Sequence, residues 1–362
     1  MDKQTNGGDP RSLPSIEGAV CPVPLSHDAT IVLGHGSGGK LTQSLIETIF
    51  YPPLENETLM RGDDAAVLPE NGEGRIAVST DAHIVSPLFF PGGDIGKLAV
   101  CGSVNDLAMV GAVPRWITAS FILEEGFPVS QLVLVLESMR AAAAEAGVRI
   151  VAGDTKVTER GKGDGLFITT TGIGVVPEGL HISGSSAQPG DKVLVSGDVG
   201  DHGIAVLAAR GDLAFEADLL SDVAPLNNMV EAMLEVDAEI HSLRDPTRGG
   251  LATTLNEIAR QSGVCISLDE ESIPLKDSVR AACEMLGLDP LYIANEGKLV
   301  AIVAPEGAQA VLKALQAHPY GRQAQIIGEV QQAPHGRLLV RTGIGGRRVI
   351  GPLAGEILPR IC

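Results

Sequence analysis

Several acidic residues in this sequence stand beside glycine or at the end of an apolar stretch, where a carboxylate can face a ligand. Asp63 and Asp64 form a pair directly after a glycine. Asp81 closes one β-branched stretch, and Asp154 follows a glycine that interrupts another. Oxygen donors gathered from strand ends are what Mg²⁺ and nucleotide phosphates require. Taken singly, such acids also cap helices and turns, so both interpretations stay open.

A second acidic position lies inside an apolar helical stretch, residues 94–112. There Asn105 and Asp106 are flanked by valine and leucine. An unpaired carboxylate is costly among apolar side chains. We therefore expect a bound cation or a lysine beside Asp106, and Lys156 is the candidate lysine.

Glu296 is another acidic residue within an apolar stretch. It interrupts the apolar stretch 291–305, which predicts one strand or two joined strands, and an acid there needs a partner. Asp245 and Thr247 open a further helical pattern. Each residue could belong to a functional site or could simply cap that helix, and the sequence favours neither interpretation.

A glycine-rich segment precedes the helical pattern that begins at Leu41. Gly36, Gly38 and Gly39 offer backbone N–H groups ahead of that helix, and Lys40 follows them. This arrangement suits phosphate binding. The spacing does not match the P-loop of nucleotide triphosphatases, so alone it is a weak signal.

The composition excludes several classes of function. The chain has 362 residues and a formal net charge of −18, which argues against binding nucleic acid or anionic membranes. No apolar run approaches the roughly 18 residues of a membrane span. The polar N-terminus lacks a signal peptide, and five scattered cysteines favour reduced thiols in the cytoplasm.

Alternating strand and helix patterns predict an α/β protein with two domains. Residues 1–25 predict a disordered leader that includes Cys21, and the turn-rich stretch 177–191 separates the domains. The predicted organisation is a leader over 1–25, an N-terminal domain over 26–178, a C-terminal domain over 179–342 and a flexible tail over 343–362.

Cys362 is the last residue of the sequence, on a tail rich in glycine and proline. A thiol in that position can carry a covalent group between sites, and Arg360 nearby favours the reactive thiolate. A chance cysteine at a frayed end is the alternative.

Taken together, these motifs resemble one family. The segments that carry the resemblance are HGSGGK, GDDAAV, TDAH, GSVNDLAMVGA, AGDTKVT, DPTRGGLATTLNEIA, NEGKLV and the closing PRIC. They are similar to the HypE family of hydrogenase maturation carbamoyl dehydratases, in the ATP-binding superfamily of aminoimidazole ribonucleotide synthetase and selenophosphate synthetase. The acidic motifs are shared across that superfamily, whereas the terminal Pro-Arg-Ile-Cys is specific to the family.

The resemblance implies an ATP-dependent dehydration on Cys362. A carbamoyltransferase, HypF, loads a carboxamide onto the sulfur, ATP phosphorylates the carboxamide oxygen, and loss of phosphate leaves a thiocyanate. The cyano group then passes to iron on a HypC–HypD scaffold for NiFe hydrogenase. Glu296 is the expected base, and Lys156 offsets phosphoryl charge or shares that task.

The resemblance also assigns the remaining residues and the fold. Mg²⁺ and ATP are the expected cofactors, with the nucleotide near a β-barrel that N-terminal strands form across a homodimer. The expected metal ligands are Asp63, Asp64, Asp81, Asp106 and Asp154, and the expected nucleotide-binding residues are Gly36, Gly38, Gly39, Asp64, Asp81, Asn105, Asp106 and Thr155.

Two alternatives stay open at this point. Selenophosphate synthetase places a reactive Cys or selenocysteine just before the glycine-rich loop. Here Cys21 lies well upstream without the expected neighbours, and that chemistry leaves Cys362 unexplained. A non-catalytic scaffold that binds ATP only to order its tail is the second alternative.

Overall fold

Two β-sheets, each covered by helices, carry the residues of interest. A computed structural model of the chain describes residues 39–45, 47–48, 59–67, 74–211, 219–353, 355 and 358–362. These belong to one compact unit. Gly36, Gly38 and the leader with Cys21 lie outside the described residues. No helix in the described ranges has the length and apolar content to cross a membrane.

The first sheet has five strands in the order β1-β2-β7-β5-β6. All its pairings are antiparallel except that of β5 with β6, which is parallel. Its strands are β1 (Ala66–Val67), β2 (Arg75–His83), β5 (Val113–Glu124), β6 (Arg149–Thr158) and β7 (Leu166–Val176).

Two long helices cover one face of this sheet. Helix α2 (Ile95–Met109) packs on β2 and β7 and is almost wholly buried. Asp94 caps its N-terminus by accepting from the N–H groups of Gly96 and Lys97. Helix α3 (Val129–Ala146) packs on α2 and ends at Gly147, whose left-handed φ of 71° favours glycine. The predicted start at Ser130 is one residue late, because Pro128 already precedes the first turn.

Among the described residues, neither of the two helices covers the other face of the first sheet. Small and apolar side chains line it on neighbouring strands, including Val78, Ile173 and Trp116 in one row. Trp116 and Ile122 are about two-fifths exposed (39% and 44%). In the part of the chain that the structure describes, this sheet does not close into a barrel.

The second sheet has seven strands in the order β14-β13-β10-β12-β8-β11-β9. Its core is built from aliphatic side chains such as Val195, Leu255 and Ile302. Its strands are β8 (Lys192–Val195), β9 (Ile240–Arg244), β10 (Cys265–Asp269), β11 (Val300–Val303), β12 (Gln325–Gln331), β13 (Arg337–Arg341) and β14 (Arg347–Ile350).

The remaining elements are short and mostly surround this second sheet. A two-stranded ribbon of β3 and β4 precedes α2, and α1 lies near the start of the described chain. These elements are α1 (Lys40–Leu45), β3 (Phe89–Phe90), β4 (Gly93–Asp94), α4 (Asp201–Ala209), α5 (Asn227–Leu234), α6 (Gly250–Gln261), α7 (Asp277–Leu286) and α8 (Ala308–Ala317).

Three local expectations are corrected. Strand β6 runs through Gly153 without a break, because the missing side chain lets the strand lie close to the Ala119 carbonyl. Residues 293–299 are not a strand, since side chains from other segments take backbone hydrogen bonds there: the Glu296 N–H donates to Asp222 and the Leu299 N–H donates to Ser196. Within the tail, Arg347–Ile350 form an edge strand that pairs with β13 and buries Ile350.

Candidate functional site

Four aspartates from separate elements converge on one site, which we call the carboxylate cluster: Asp64, Asp81, Asp106 and Asp245. Asp64 precedes β1, Asp81 lies in β2, Asp106 lies in α2 and Asp245 follows β9. Burial raises the pKa of Asp106 well above its usual value, and the charges of Asp245, Asp81 and Asp64 raise it further. Burial and the charges of Asp64 and Asp81 raise the pKa of Asp245 to about 8.

The cluster is held from the protein side by polar contacts. The Ser79 hydroxyl donates to Asp106, and His83 lies 3.5 Å from Asp81 through its Nε2. His83 is buried, which lowers its pKa and favours the neutral ring. Helix α2 approaches Asp81 and His83 closely at Gly102, where an added Cβ would lie 2.7 Å from Asp81 Oδ2.

Arg244 compensates part of the negative charge at one end of the cluster. Its guanidinium donates to Asp64 Oδ1 at 2.5 Å and to the Gly62 carbonyl at 2.7 Å. Asp63 does not join the cluster in this arrangement. Its Oδ1 accepts from the Ser183 hydroxyl at 2.7 Å and from the Gly184 N–H at 3.0 Å.

Glu296 lies beside the cluster in the segment before β11. It is 6% exposed, and its Oε1 is buried without a hydrogen-bond partner among the described residues. Burial raises its pKa well above the usual value, and the charges of Asp245, Asp81 and Asp222 add to this, while Arg248 opposes it.

The thiol of Cys362 lies against Glu296. The side chains are within hydrogen-bonding reach, and Asp81 and Arg248 are close enough to act on the thiol electrostatically. Burial raises the thiol pKa, and Glu296 raises it further, while Arg248 lowers it. In this docked position the sulfur is therefore a neutral thiol, delivered to the carboxylates.

Asn105 anchors the segment that carries Glu296. Its amide donates to the carbonyls of Ala224 and Glu296 at 3.1 and 3.3 Å, and its Oδ1 accepts from the Leu226 N–H at 2.8 Å. This buried asparagine satisfies the backbone around Glu296.

Asp154, Thr155 and Lys156 lie elsewhere, on exposed strand β6. The Lys156 ammonium is 2.6 Å from Asp154 Oδ2, and both side chains are well exposed. The Thr155 N–H donates to Asp154 Oδ1 at 2.8 Å. The sequence suggested Lys156 as a partner of Asp106, but within one chain Lys156 pairs with Asp154 instead.

Gly39 has a packing role that the structure makes visible. An added Cβ would lie 2.2 Å from the Leu353 carbonyl, and the Lys40 N–H donates to that same carbonyl at 2.8 Å. The glycine therefore lets the start of α1 approach the tail.

Sequence reasoning left Asp245, Arg248 and Arg244 out of the site. Asp245 and Arg248 both belong to the segment Asp245–Gly250, for which helix capping was an equally good interpretation and to which no site role was assigned. Two consecutive left-handed glycines, Gly249 and Gly250, with φ of 79° and 56°, were the missed signal. Such a backbone is typical of a turn shaped for close approach to a ligand.

The cluster fits a divalent cation in its donor chemistry. The negative charges of these aspartates raise the pKa values of Asp106 and Asp245. A bound divalent cation would offset that repulsion. In the described ranges, no three acidic, histidine or cysteine side chains gather tightly enough to hold an ion by themselves. Mg²⁺ commonly takes one or two carboxylates and completes its shell with substrate phosphates and water.

Comparison with known proteins gives concordant matches. The family described as AIR synthase related protein, N-terminal domain, matches residues 62–176, and AIR synthase related protein, C-terminal domain, matches residues 188–341. Residues from both regions meet at the carboxylate cluster.

Individual relatives span nearly the whole chain. The carbamoyl dehydratase HypE of Azotobacter vinelandii is 56% identical over 335 residues, covering 92% of this chain and 98% of the relative. The crystal structure of a HypE–HypF complex matches with a TM-score of 0.82 and 50% identity, over 86% of this chain and 100% of that chain.

A crystal structure of the hydrogenase maturation protein HypE in complex with ATP matches with a TM-score of 0.77 and 49% identity, over 92% of this chain and 100% of that chain. The extent of these matches, and a cysteine docked on a buried glutamate beside clustered aspartates, lead to one conclusion. The chain belongs to the HypE carbamoyl dehydratase family.

Proposed function

We propose that this protein dehydrates a carboxamide on the Cys362 sulfur to a thiocyanate at the expense of ATP, supplying cyanide ligands for the iron of NiFe hydrogenase. The observation that carries the proposal is the docking of the Cys362 thiol against Glu296, beside the carboxylate cluster. A non-catalytic scaffold would have no use for a buried acid at that sulfur.

The chemistry requires a leaving group that an amide oxygen does not provide. ATP transfers its γ-phosphoryl group to the carboxamide oxygen, and ADP is released. The carbon–oxygen bond then breaks, the oxygen leaves with phosphate, and the nitrogen loses its protons to give the carbon–nitrogen triple bond. The net change is thiocarbamate plus ATP to thiocyanate, ADP and phosphate.

Glu296 is the proposed base for the nitrogen protons. Its raised pKa suits the task, because a carboxylate with a raised pKa is a stronger base than an ordinary one. Its unpartnered Oε1 leaves one lone pair ready to accept a proton. Asn105 and Asp222 hold the backbone on which this carboxylate stands.

The carboxylate cluster would hold Mg²⁺ together with the ATP phosphates. Asp81, Asp106 and Asp245 are the proposed ligands, and Asp64 is partly neutralised by Arg244. Bound Mg²⁺ would neutralise charge on the transferring phosphoryl group. Asp63 and Asp154 lie outside the cluster, so we assign them no direct coordination within one chain.

We propose that two chains pair through the face of the first sheet that α2 and α3 do not cover, and that their sheets together form a barrel. Symmetric pairing of this kind would cover exposed Trp116 and Ile122. Asp154 and Lys156 lie on the same face, in register with Ser120 and Ile122. Lys156 would then serve the partner's phosphoryl transfer, because in its own chain it pairs only with Asp154 among the described residues.

The expected partners are a carbamoyltransferase that loads Cys362 and an iron scaffold that receives the cyano group, HypF and HypC–HypD respectively in the terms of the family. The HypE–HypF crystal structure supports the first of these pairings. The free cysteines among the described residues support a cytoplasmic setting for the proposed reaction.

Phosphate release tests the proposal. Wild-type protein given ATP, Mg²⁺, carbamoyl phosphate and the carbamoyltransferase should release phosphate in proportion to loaded Cys362. The Cys362→Ala variant should release none above the transferase blank while keeping its melting temperature. Equal phosphate release by that variant would mean that ATP is consumed without the proposed substrate.

A further inference from the structure

The last residues of the chain, 358–362, which we call the tail segment, run alongside residues 84–86. Ile361 pairs with Val85 in an antiparallel bridge. The Ile84 N–H donates to the Cys362 carbonyl at 2.9 Å, and the Ser86 N–H donates to the Arg360 carbonyl at 3.1 Å. Ile361 is 3% exposed and packs in the core of the first sheet.

A buried histidine from helix α4 contacts this segment and has no role in the proposed chemistry. His202 Nε2 is 2.7 Å from the Ile361 carbonyl, and its Nδ1 is 2.8 Å from the Ser221 hydroxyl. Because a carbonyl only accepts, Nε2 carries the proton and Nδ1 accepts from Ser221. The Ser221 oxygen accepts in turn from the Val223 N–H at 3.2 Å. The result is a directed chain of hydrogen bonds that ends on the tail segment.

The ring of His202 is fixed on its other sides as well. It is fully buried and meets Phe90 edge-on, with ring centroids 5.4 Å apart. Burial lowers its pKa and keeps the ring neutral, while nearby Asp222 opposes that shift and Arg210 adds to it. The neutral His202 ring is therefore held in place, with its Nε2–H directed at a backbone carbonyl of the tail segment.

The far end of the same helix carries a second donor to the tail segment. Arg210, directly after α4, donates through Nε to the Ser86 carbonyl at 2.6 Å. Its Nη2 lies 2.5 Å from the Pro359 carbonyl and 2.6 Å from the Arg360 carbonyl. One guanidinium therefore joins the tail segment to the chain segment with which it pairs.

We propose that His202 and Arg210 form a latch on helix α4 that holds the tail segment in register, so that Cys362 meets Glu296. They are positioning residues, because they act on backbone carbonyls and do not touch the sulfur. The use of the docked state rests on the proposed function, whereas the latch itself rests on the contacts above. The hydrogen bonds described above from His202 and Arg210 to the tail segment end on backbone carbonyls, so they depend on the path of its backbone and not on its side chains.

Alkylation of Cys362 tests the latch without ATP or carbamoyl phosphate, so its outcome does not depend on the dehydratase reaction. Unloaded protein is treated with iodoacetamide, and peptide masses give the rate at each cysteine. Cys101, Cys265 and Cys283 are buried and serve as internal monitors of unfolding. His241→Leu is the matched control, since His241 bonds to Asp191 and does not touch the tail.

Removing the donor should release the tail and nothing else. In His202→Leu, Cys362 should react roughly 10-fold faster than in wild type, as expected for loss of a buried hydrogen bond. The monitor cysteines should keep their rates. His202→Gln, which retains an N–H at a similar reach, should restore slow alkylation. Arg210→Lys should accelerate Cys362 as well, because one ammonium cannot serve three carbonyls in different directions.

Two results would overturn the latch. One is an unchanged Cys362 rate in both His202→Leu and Arg210→Lys. The other is equal acceleration of Cys362 and Cys101 in both variants, which would mean that these residues only stabilise the fold. A latch that is confirmed while phosphate release fails would leave the docking intact and reject the dehydratase chemistry alone.

Discussion

Glu296 is the side chain at which burial and neighbouring negative charges act together. It is buried, it lies near three other acids, and Arg248 is the opposing cation whose charge acts on it. A carboxylate in that setting keeps its proton to a higher pH than usual. The same setting makes it an effective acceptor for an amide proton, because its charged form is destabilised until it takes one.

Replacing Glu296 by glutamine tests this role. Glu296→Gln should load a carboxamide on Cys362 normally but lower the dehydration rate by roughly 10² to 10⁴, the usual contribution of a general base. Single-turnover quenching with peptide mass measurement follows both steps. Normal dehydration by this variant would remove Glu296 from the mechanism.

The pH dependence of dehydration follows from the same pKa. The base works as a carboxylate, and its pKa in the folded protein is raised well above 4.5. Dehydration should therefore fall as the pH drops through that raised value, well above the range of an ordinary glutamate. The profile measured on pre-loaded protein should lose this limb in Glu296→Gln. A wild-type limb at an ordinary glutamate pKa would contradict the assignment.

A buried ion pair next to Glu296 supports the site structurally. Lys298 Nζ is 3.1 Å from Asp222 Oδ2, and Asp222 Oδ1 accepts from the Glu296 N–H. Burial pushes the Asp222 pKa up, but the charge of Lys298 and the hydrogen bond from the Glu296 N–H outweigh it and hold the pKa below its usual value. Asp222 is therefore charged at neutral pH and depends on its partner.

Lys298→Met should lower the free energy of unfolding by about 3–5 kcal/mol, because it leaves a buried carboxylate unpaired. Urea denaturation measures the change. The control is Lys192→Met, which breaks an exposed pair with Glu329 and should cost roughly 0–1 kcal/mol. Similar losses in the two variants would mean that the Asp222 pair is not buried as described.

At the scale of elements, the fit between α2 and β2 decides where Asp81 points. Gly102 brings the helix against the strand, and an added Cβ would lie 2.7 Å from Asp81 Oδ2 and 3.0 Å from His83 Cε1. Alanine favours an isolated helix over glycine by about 1 kcal/mol. At Gly102 the gain in helix stability would be opposed by the displacement of Asp81 that an added Cβ requires.

Gly102→Ala should therefore keep its helix content but lose most of its dehydratase activity. Circular dichroism and phosphate release on loaded protein separate the two effects. Gly351→Ala is the control, since its added Cβ meets no atom within 4 Å. Full activity in Gly102→Ala would mean that the position of Asp81 tolerates the shift.

The regular elements were largely predictable, because hydrophobic periodicity and caps are local. The sequence predicted α2 with its Asp94 cap, and strand β7 with both of its bounds. It missed the irregular path around Glu296, since Asn105 and Asp222 fix that path from distant elements. Strand β14 escaped prediction because its partner strand, and not its own glycine-rich surroundings, stabilises it.

The site was predictable in its acids but not in their grouping. Asp81 lies close enough to Asp106, Glu296 and Cys362 to raise the pKa of each, a grouping to which the sequence did not add Asp245. Lys156 does not reach them in one chain, because β6 is an edge strand with all but its last residue exposed. If two chains share a site, their assembly decides which side chains reach it. A local sequence pattern does not encode that assembly.

At the scale of the whole molecule, mixing variants tests whether two chains share each site. Lys156→Ala and Glu296→Gln dimers should each be inactive. Subunit exchange between them should recover about a quarter of wild-type activity, because half of the dimers are mixed and each has one intact site. No recovery in dimers shown by mass to be mixed would place Lys156 and Glu296 in the same chain's site, or Lys156 in none.

In the proposed reaction Cys362 carries the substrate, and the mass of the peptide that contains Cys362 tests this directly. The peptide that contains Cys362 is weighed after incubation with ATP, Mg²⁺, carbamoyl phosphate and the carbamoyltransferase. We expect a carboxamide adduct on Cys362 that loses one water only when the ATP can be hydrolysed. An unmodified Cys362 beside an active transferase, or an adduct that never loses water, would contradict the account.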